Sequence, residues 1–572
     1  MKTIFSYLRE GKHWKCRLAE SCFRNFVTVC LLAYSPEVEG QVFFEQTSPV
    51  TYRVQLKDKE NSPYTLNGPQ EFLSQRALDR REKQGIMVTW TDLPVTPAYL
   101  DSIKATGASV LTSSKWFNAV TIRTTDTAVL RRIAGMDFVI RNLTETIQYD
   151  ALKTEDLSGN IQHSESEYSV TYGTSLWQSA IHNGQLLHRE GYKGSDMVIA
   201  VIDAGFYHVN SLPAFGKLWL NSQILGTRDF VEPGNDVYRE ATHGMQVLSI
   251  IGGSINDELN GTATDAEFWL LRTEDIHSEF IVEEDNWIAA AEFADSAGAD
   301  IINSSLGYNN FDDPLQHHEY KDLNGFSIRI SRAAAIAASK GMLVITSAGN
   351  EANKTWHYIT APADADSILT VGAVDEKGLA ASFSGQGPTS DGRIKPDVMA
   401  IGFGTVMADI GGGVKTGNGT SLAAPIITGL SACLWQANSN STVMELINTI
   451  KKSAGHYDHP DNIYGYGVPD FYLANLLLKK NHPDNYRENY TELYPNPVNN
   501  ELVILFSNQV NTDIDICMYD LTGRRVFHNI YPASQGREYL KLNKVLNLLH
   551  NGVYILSIKT ASFAGISKVL KY

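Results

Sequence analysis

Gly417-Asn418-Gly419-Thr420-Ser421-Leu422-Ala423-Ala424-Pro425 is the stretch whose reading decides the fold. Glycines flank a serine, and small or apolar residues follow as far as Leu430. Glycine permits a tight backbone approach and unusual φ/ψ. The run after Ser421 has the composition of a buried helix. Pro425 fits if that helix starts near Ser421, because first-turn N–H groups have no intrahelical partner. The hydroxyl then stands at the positive end of a helix, where developing negative charge is favoured. Alone, the stretch reads first as a glycine turn capped by serine. Its surroundings change that reading.

From about Tyr172 onward, buried strands alternate with helices. Strands are expected at 197–202, 267–271, 300–303, 342–346 and 368–374. Helices are expected at 243–251, 283–298, 327–340 and 441–454, the second of them amphipathic. Such alternation predicts an α/β domain with a parallel sheet covered on both faces. Ligands bind such sheets at the carboxyl ends of the strands. Asp203 ends a buried strand, His243-Gly244 opens a helix, and Asn350 follows a strand in Ser347-Ala348-Gly349-Asn350-Glu351. With Ser421 these are an acid, a base, an amide donor and a nucleophile at one edge of one sheet.

A serine hydroxyl is a weak nucleophile, so an imidazole must take its proton during attack. A buried carboxylate on the other ring nitrogen enforces the correct tautomer. The tetrahedral oxyanion needs donors already aimed at it, which the Asn350 amide and the Ser421 N–H can supply.

In this order the motifs resemble the subtilisin-like (subtilase) serine peptidases. Met197-Val198-Ile199-Ala200-Val201-Ile202-Asp203-Ala204-Gly205 is similar to the family's aspartate motif, Thr242-His243-Gly244-Met245 to its histidine motif, and Gly419 through Pro425 to its serine motif. The resemblance implies a secreted serine endopeptidase with an Asp203-His243-Ser421 triad, an acyl-enzyme on Ser421 and an oxyanion donor in Asn350. It also implies that Ser305, Leu306 and Gly307, with Ser347, Ala348 and Gly349, hold substrate main chain and shape the pocket. Protein or peptide substrates follow, and no cofactor is required. Family members often bind structural calcium, but no Asp/Asn-rich loop here marks a place for it. Residues 309–325 look like an insertion after the cleft strand. Adjacent His317 and His318 within it diverge on a helix or a strand, so no metal site is assigned.

Residues 41–150 read as a small α+β unit, with a closing strand at 138–142. By resemblance it is a propeptide that assists folding and occludes the cleft. The segment Tyr494-Pro495-Asn496-Pro497, followed by alternating strands, reads as a small β-sandwich. It resembles the sorting domain of proteins exported by the type IX system of Bacteroidetes-like bacteria. The expected organisation is a signal peptide over 1–40, propeptide and linker over 41–165, peptidase domain over 166–482 and sorting domain over 490–572. The basic leader with a short apolar run before residue 40 suits a signal peptide and is too short to span a bilayer.

A net charge of −16 argues against nucleic-acid binding. No stretch is long enough for a transmembrane helix. These features predict a secreted or outer-surface protein whose partners are its own propeptide, as inhibitor and chaperone, and the type IX machinery. Cys433 and Cys517 lie in apolar patterns and are read as buried hydrophobes rather than a disulfide. Two rival functions use the same scaffold: a catalytically silent surface-displayed binding protein, and a peptide acyl transferase or cyclase.

Overall fold

The computed structural model describes residues 50–140, 144–146, 172–480, 491–498, 501–534, 537–543, 546 and 549–572. The expected signal peptide lies outside them, as do residues 147–171, which include the end of the expected propeptide and linker, and residues 481–490.

Seven parallel strands form the central sheet, in the order Val398–Ile401, Leu369–Val374, Leu343–Ser347, Ile301–Ser304, Val198–Asp203, Glu267–Arg272, Ile224–Asp229. The inner strands are largely apolar because both faces are covered, whereas the edge strand Ile224–Asp229 is mostly polar and exposed. Ile199, Val201, Ile301, Leu343 and Ile345 face one side, against the helices His243–Gly252 and Thr420–Ala437. Val198, Ala200, Ile202, Ile302 and Val344 face the other, against Val282–Ala297 and Arg329–Ser339. From Val198–Asp203 the chain runs to the edge strand Ile224–Asp229 and then works back to the other edge, so the connections leaving Val198–Asp203 and its neighbour Ile301–Ser304 run in opposite directions. The crevice at a parallel sheet's carboxyl edge opens at such a switch point.

The N-terminal unit is a four-stranded antiparallel sheet, ordered Ser109–Ser114, Ala119–Thr124, Val50–Gln55, Thr144–Thr146. Of the strand expected at 138–142, residues 138–140 form only a single bridge from Val139 to Leu56 and residues 141–142 lie outside the described residues; a strand runs at Thr144–Thr146. The unit docks on the helix Val282–Ala297. Arg53 pairs with Asp285 at 2.8 Å, while Arg80, Arg81 and Lys115 converge on Asp295 at 2.6, 2.8 and 3.0 Å. Glu292 accepts from Ser114 Oγ at 2.6 Å and from the N–H groups of Lys115 and Trp116 at 2.7 and 3.0 Å. The polar stripe that predicts an amphipathic helix is therefore buried, with arginines in place of water.

After the helix Phe471–Lys480, two antiparallel sheets of three and four strands close on a core that includes Ile504, Ile516 and Leu556. Leu473, Leu476 and Leu477 pack against Tyr494, Val503 and Leu505, which seats this domain on the central one. Cys433 is buried as expected, but Cys517 is half-exposed. Strand alternation turns Ile514, Ile516 and Met518 inward and leaves Cys517 on the outer face.

Candidate active site

Asp203 is the last residue of its strand and is fully buried. Its Oδ1 accepts from the Ala204 N–H at 2.8 Å and lies 2.7 Å from His243 Nδ1. A carboxylate only accepts, so Nδ1 carries the proton and Nε2 is left as the base. His243 is the first residue of its helix. Gly244 permits the close approach: a Cβ there would lie 2.4 Å from the Gly205 carbonyl oxygen and 2.9 Å from the Asp203 Cβ. Burial lowers the imidazole pKa, but the charge of Asp203 and its hydrogen bond outweigh that and hold it above the ordinary value.

Ser421 is the second residue of the helix Thr420–Ala437. The cap, Gly419, has φ 155°, and a Cβ on it would sit 2.9 Å from Ser421 Oγ. Pro425 stands one turn deeper than a first-turn position. The N–H it lacks is the one that would have bonded the Ser421 carbonyl. Ser305 Oγ donates to that carbonyl instead, at 2.8 Å.

Asn350 follows the strand Leu343–Ser347. Its Oδ1 accepts from Thr420 N–H at 2.9 Å and Thr420 Oγ at 3.1 Å. The backbone N–H can only donate, which fixes the oxygen towards the helix and leaves the Nδ2 donors available. Thr420 Oγ in turn accepts from Gly349 N–H at 3.1 Å. Sequence reasoning passed over Thr420, whose place beside the serine is its only signal.

A cavity of about 670 Å³ brings these groups together. His243, Ser421, Asn350, Ser305, Leu306, Gly307, Ser347 and Gly349 all line it. Asp203 stands behind His243. Ala348 stands behind the wall, buried, with its N–H on Val371 and its carbonyl on Thr360. Ser347 Oγ donates to the Leu306 carbonyl at 3.3 Å, tying the two lining segments together.

The 309–325 segment forms part of the same wall through Asn310, Phe311 and Asp312. His317 Nδ1 accepts from Phe311 N–H at 3.0 Å, and His318 pairs with Glu284 at 2.5 Å. Glu274, Glu279 and Glu283 also line the cavity, and sequence reasoning missed them. The available signal was the position of Glu274, two residues beyond the end of the strand Glu267–Arg272.

The subtilase family model matches residues 194–467, the span that carries all of these motifs. Residues 194–467 belong to the subtilase family. A peptidase S8 propeptide domain of Bacteroidota matches residues 51–163, and a secretion-system C-terminal sorting domain matches 492–571. The chain is 28% identical to the serine protease AprX of Bacillus subtilis (strain 168) over 325 residues, 51% of this chain and 67% of AprX. It is 28% identical to subtilisin E of the same strain over 313 residues, 54% of this chain and 72% of that one. Among solved structures, MycP1 from Mycobacterium smegmatis is similar over 57% of this chain and 92% of its own, at 20% identity and a TM-score of 0.42. The chain is thus a serine endopeptidase with a subtilase domain over residues 194–467, made with its own propeptide and exported through its sorting domain. Among the described residues, no helix is long and apolar enough to cross a membrane.

Proposed function

We propose that Ser421 is the nucleophile, His243 the general base and Asp203 the group that orients it. His243 Nε2 takes the Ser421 proton as Oγ attacks a peptide carbonyl. The Asn350 Nδ2 and the Ser421 N–H stabilise the oxyanion. The protonated imidazole then gives its proton to the leaving amine. Water, activated by the same nitrogen, releases the acyl group from Ser421. Ser305, Leu306 and Gly307 form one side of the peptide groove, and Ser347, Ala348 and Gly349 the other. This route uses only side-chain and backbone groups of the chain itself, with water.

The observation that carries the reading is the 2.7 Å contact between His243 Nδ1 and Asp203 Oδ1, behind a cavity that Ser421 and Asn350 also line. On the same reading, residues 1–40 are a signal peptide, 41–165 the propeptide and linker, 166–482 the mature enzyme and 490–572 the sorting tail. The propeptide acts as folding aid and inhibitor, and the tail engages the type IX machinery. Ser421→Ala should abolish peptide hydrolysis and labelling by a fluorophosphonate probe. Labelling that survives the substitution would refute the assignment. Product masses in the presence of an amine acceptor separate hydrolysis from acyl transfer.

A further inference from the structure

Several buried carboxylates elsewhere among the described residues have counterions. Asp295 has Arg80, Arg81 and Lys115; Asp397 has Lys395 and Lys451; Asp229 has Arg272. The cleft is different. One carboxylate oxygen each from Glu274, Glu279 and Glu283 lies within 4.8 Å of the others. Glu274 and Glu283 are buried, and all three line the cavity that holds Ser421. Asp312 lines it too, and its Oδ2 accepts from the Glu279 N–H at 3.0 Å. Among the described residues, no lysine or arginine lines this cavity.

The oxygens are unevenly used. Glu274 Oε1 accepts from Tyr308 OH at 2.6 Å and from Thr273 Oγ at 2.8 Å. Glu283 Oε1 accepts from Asp275 N–H at 2.8 Å. Glu283 Oε2 is buried without a partner. A buried carboxylate oxygen with no donor is costly, and the cost disappears when a cation enters. Burial, then mutual repulsion, lifts Glu279 to about 8 and Glu283 well above the usual carboxylate range. Burial likewise lifts Glu274 to about 7. The empty cluster holds on to protons, and an entering cation displaces them.

We propose that Glu274, Glu279 and Glu283 form a specificity subsite that takes a lysine or arginine side chain of the bound peptide. The proposal rests on the reading of Ser421 as nucleophile, because it requires the peptide to lie in this cavity. An ammonium or guanidinium group brings three to five donors and no acceptors, which suits a set of free carboxylate oxygens. A calcium ion asks for about six to eight oxygens, usually with backbone carbonyls among them. Here one Glu274 oxygen is already held by two hydroxyls, and one Glu283 oxygen by a backbone N–H. The insertion's role follows: Asp312 fixes the Glu279 backbone and adds negative charge to the rim.

The test measures kcat/KM of the mature enzyme on peptides that differ at one position at a time. Lysine or arginine is compared with norleucine or glutamine across the positions flanking the cut. One position should prefer the cation by about tenfold or more, and the preference should fall towards unity in Glu279→Gln and in Glu283→Gln. No preference in the wild type, or one intact in both variants, overturns the proposal. Should the variants fail to mature, competitive inhibition of the wild type by a small alkylguanidine keeps the proposal exposed, since its absence counts against the subsite. Calcium-dependent stability that is lost in Glu283→Gln, without any peptide preference, would assign the cluster to a metal ion and overturn the proposal. Fluorophosphonate labelling separates the two readings: labelling without cation preference sinks the subsite alone, and absent labelling sinks the nucleophile.

Discussion

His243 has a buried carboxylate on one side and a ring that remains about a third exposed; its side chain keeps 35% of its free surface. Loss of solvent favours the neutral ring, while Asp203 favours the charged one, and Asp203 prevails. Catalysis on the proposed route needs a neutral Nε2. A raised pKa therefore means that activity is complete above that value and is lost as pH falls through it. The acid limb of kcat/KM should lie above the ordinary histidine value near 6.5. Asp203→Asn should move the limb to lower pH and reduce the plateau by about 10⁴-fold, because the wrong tautomer is then held. A limb that stays in place in this variant would refute the assignment of Asp203 as the group that sets the imidazole.

At the scale of elements, the helix Val282–Ala297 carries the N-terminal unit on Asp285, Glu292 and Asp295. Burial alone would raise the pKa of Asp295, but Lys115, Arg80 and Arg81 reverse the effect and hold it far below the carboxylate range. For Asp285, burial is likewise overcome, by Arg53 and Arg329. Groups with depressed folded-state values contribute fully above their unpaired pKa near 4, and lose that contribution only as pH falls through the depressed value. Mild acid should therefore leave these two ion-pair contacts intact. Asp295→Asn leaves three buried cations short of a partner, a loss of about 3–5 kcal/mol. The processed propeptide should then bind about 10²- to 4×10³-fold more weakly, measurable by titrating it back onto the mature enzyme. Unchanged affinity would remove Asp295 from the clasp.

The same helix shows what the sequence could and could not carry. Asp203, His243, Ser421 and Asn350 were legible because each sits where a strand ends or a helix begins, and the chemistry restricts the residue type. The docking face was not. Glu292 and Asp295 read alike whether they meet water or partners 176 to 215 residues earlier. The Glu274–Glu279–Glu283 cluster escaped for the same reason, since it forms only when a strand-end loop folds over a helix start. Pro425 was legible as a tolerated proline, but not as the cause of a free Ser421 carbonyl that Ser305 fills.

At the scale of the molecule, the C-terminal domain is held by the Leu473, Leu476 and Leu477 contact with Tyr494, Val503 and Leu505, and by a pair between Lys452 and Glu538. Tyr539 OH adds a hydrogen bond to the Lys452 carbonyl at 3.0 Å, and Tyr494 OH one to Asp470 at 3.0 Å. Deleting 490–572 should leave the catalytic geometry in place but uncover an apolar stripe on the helix Phe471–Lys480. The truncated enzyme should keep kcat/KM on small peptides, lose solubility, and stay in the periplasmic fraction. Loss of kcat/KM in the soluble fraction, or normal export, would count against that division of labour.

The clasp on Asp285 and Asp295 has a further consequence once the chain is cut. While inhibitor and enzyme are one polypeptide, their local concentration is set by the linker and is independent of the surroundings. After cleavage the same ion pairs join two separate molecules, and occupancy follows mass action. On the proposed reading, the severed partner would rebind in the confined periplasm. Outside the cell, dilution carries it away. On the proposed reading of the propeptide as inhibitor, activation would be set by volume as much as by proteolysis, and crossing the outer membrane would turn a cut zymogen into a free enzyme.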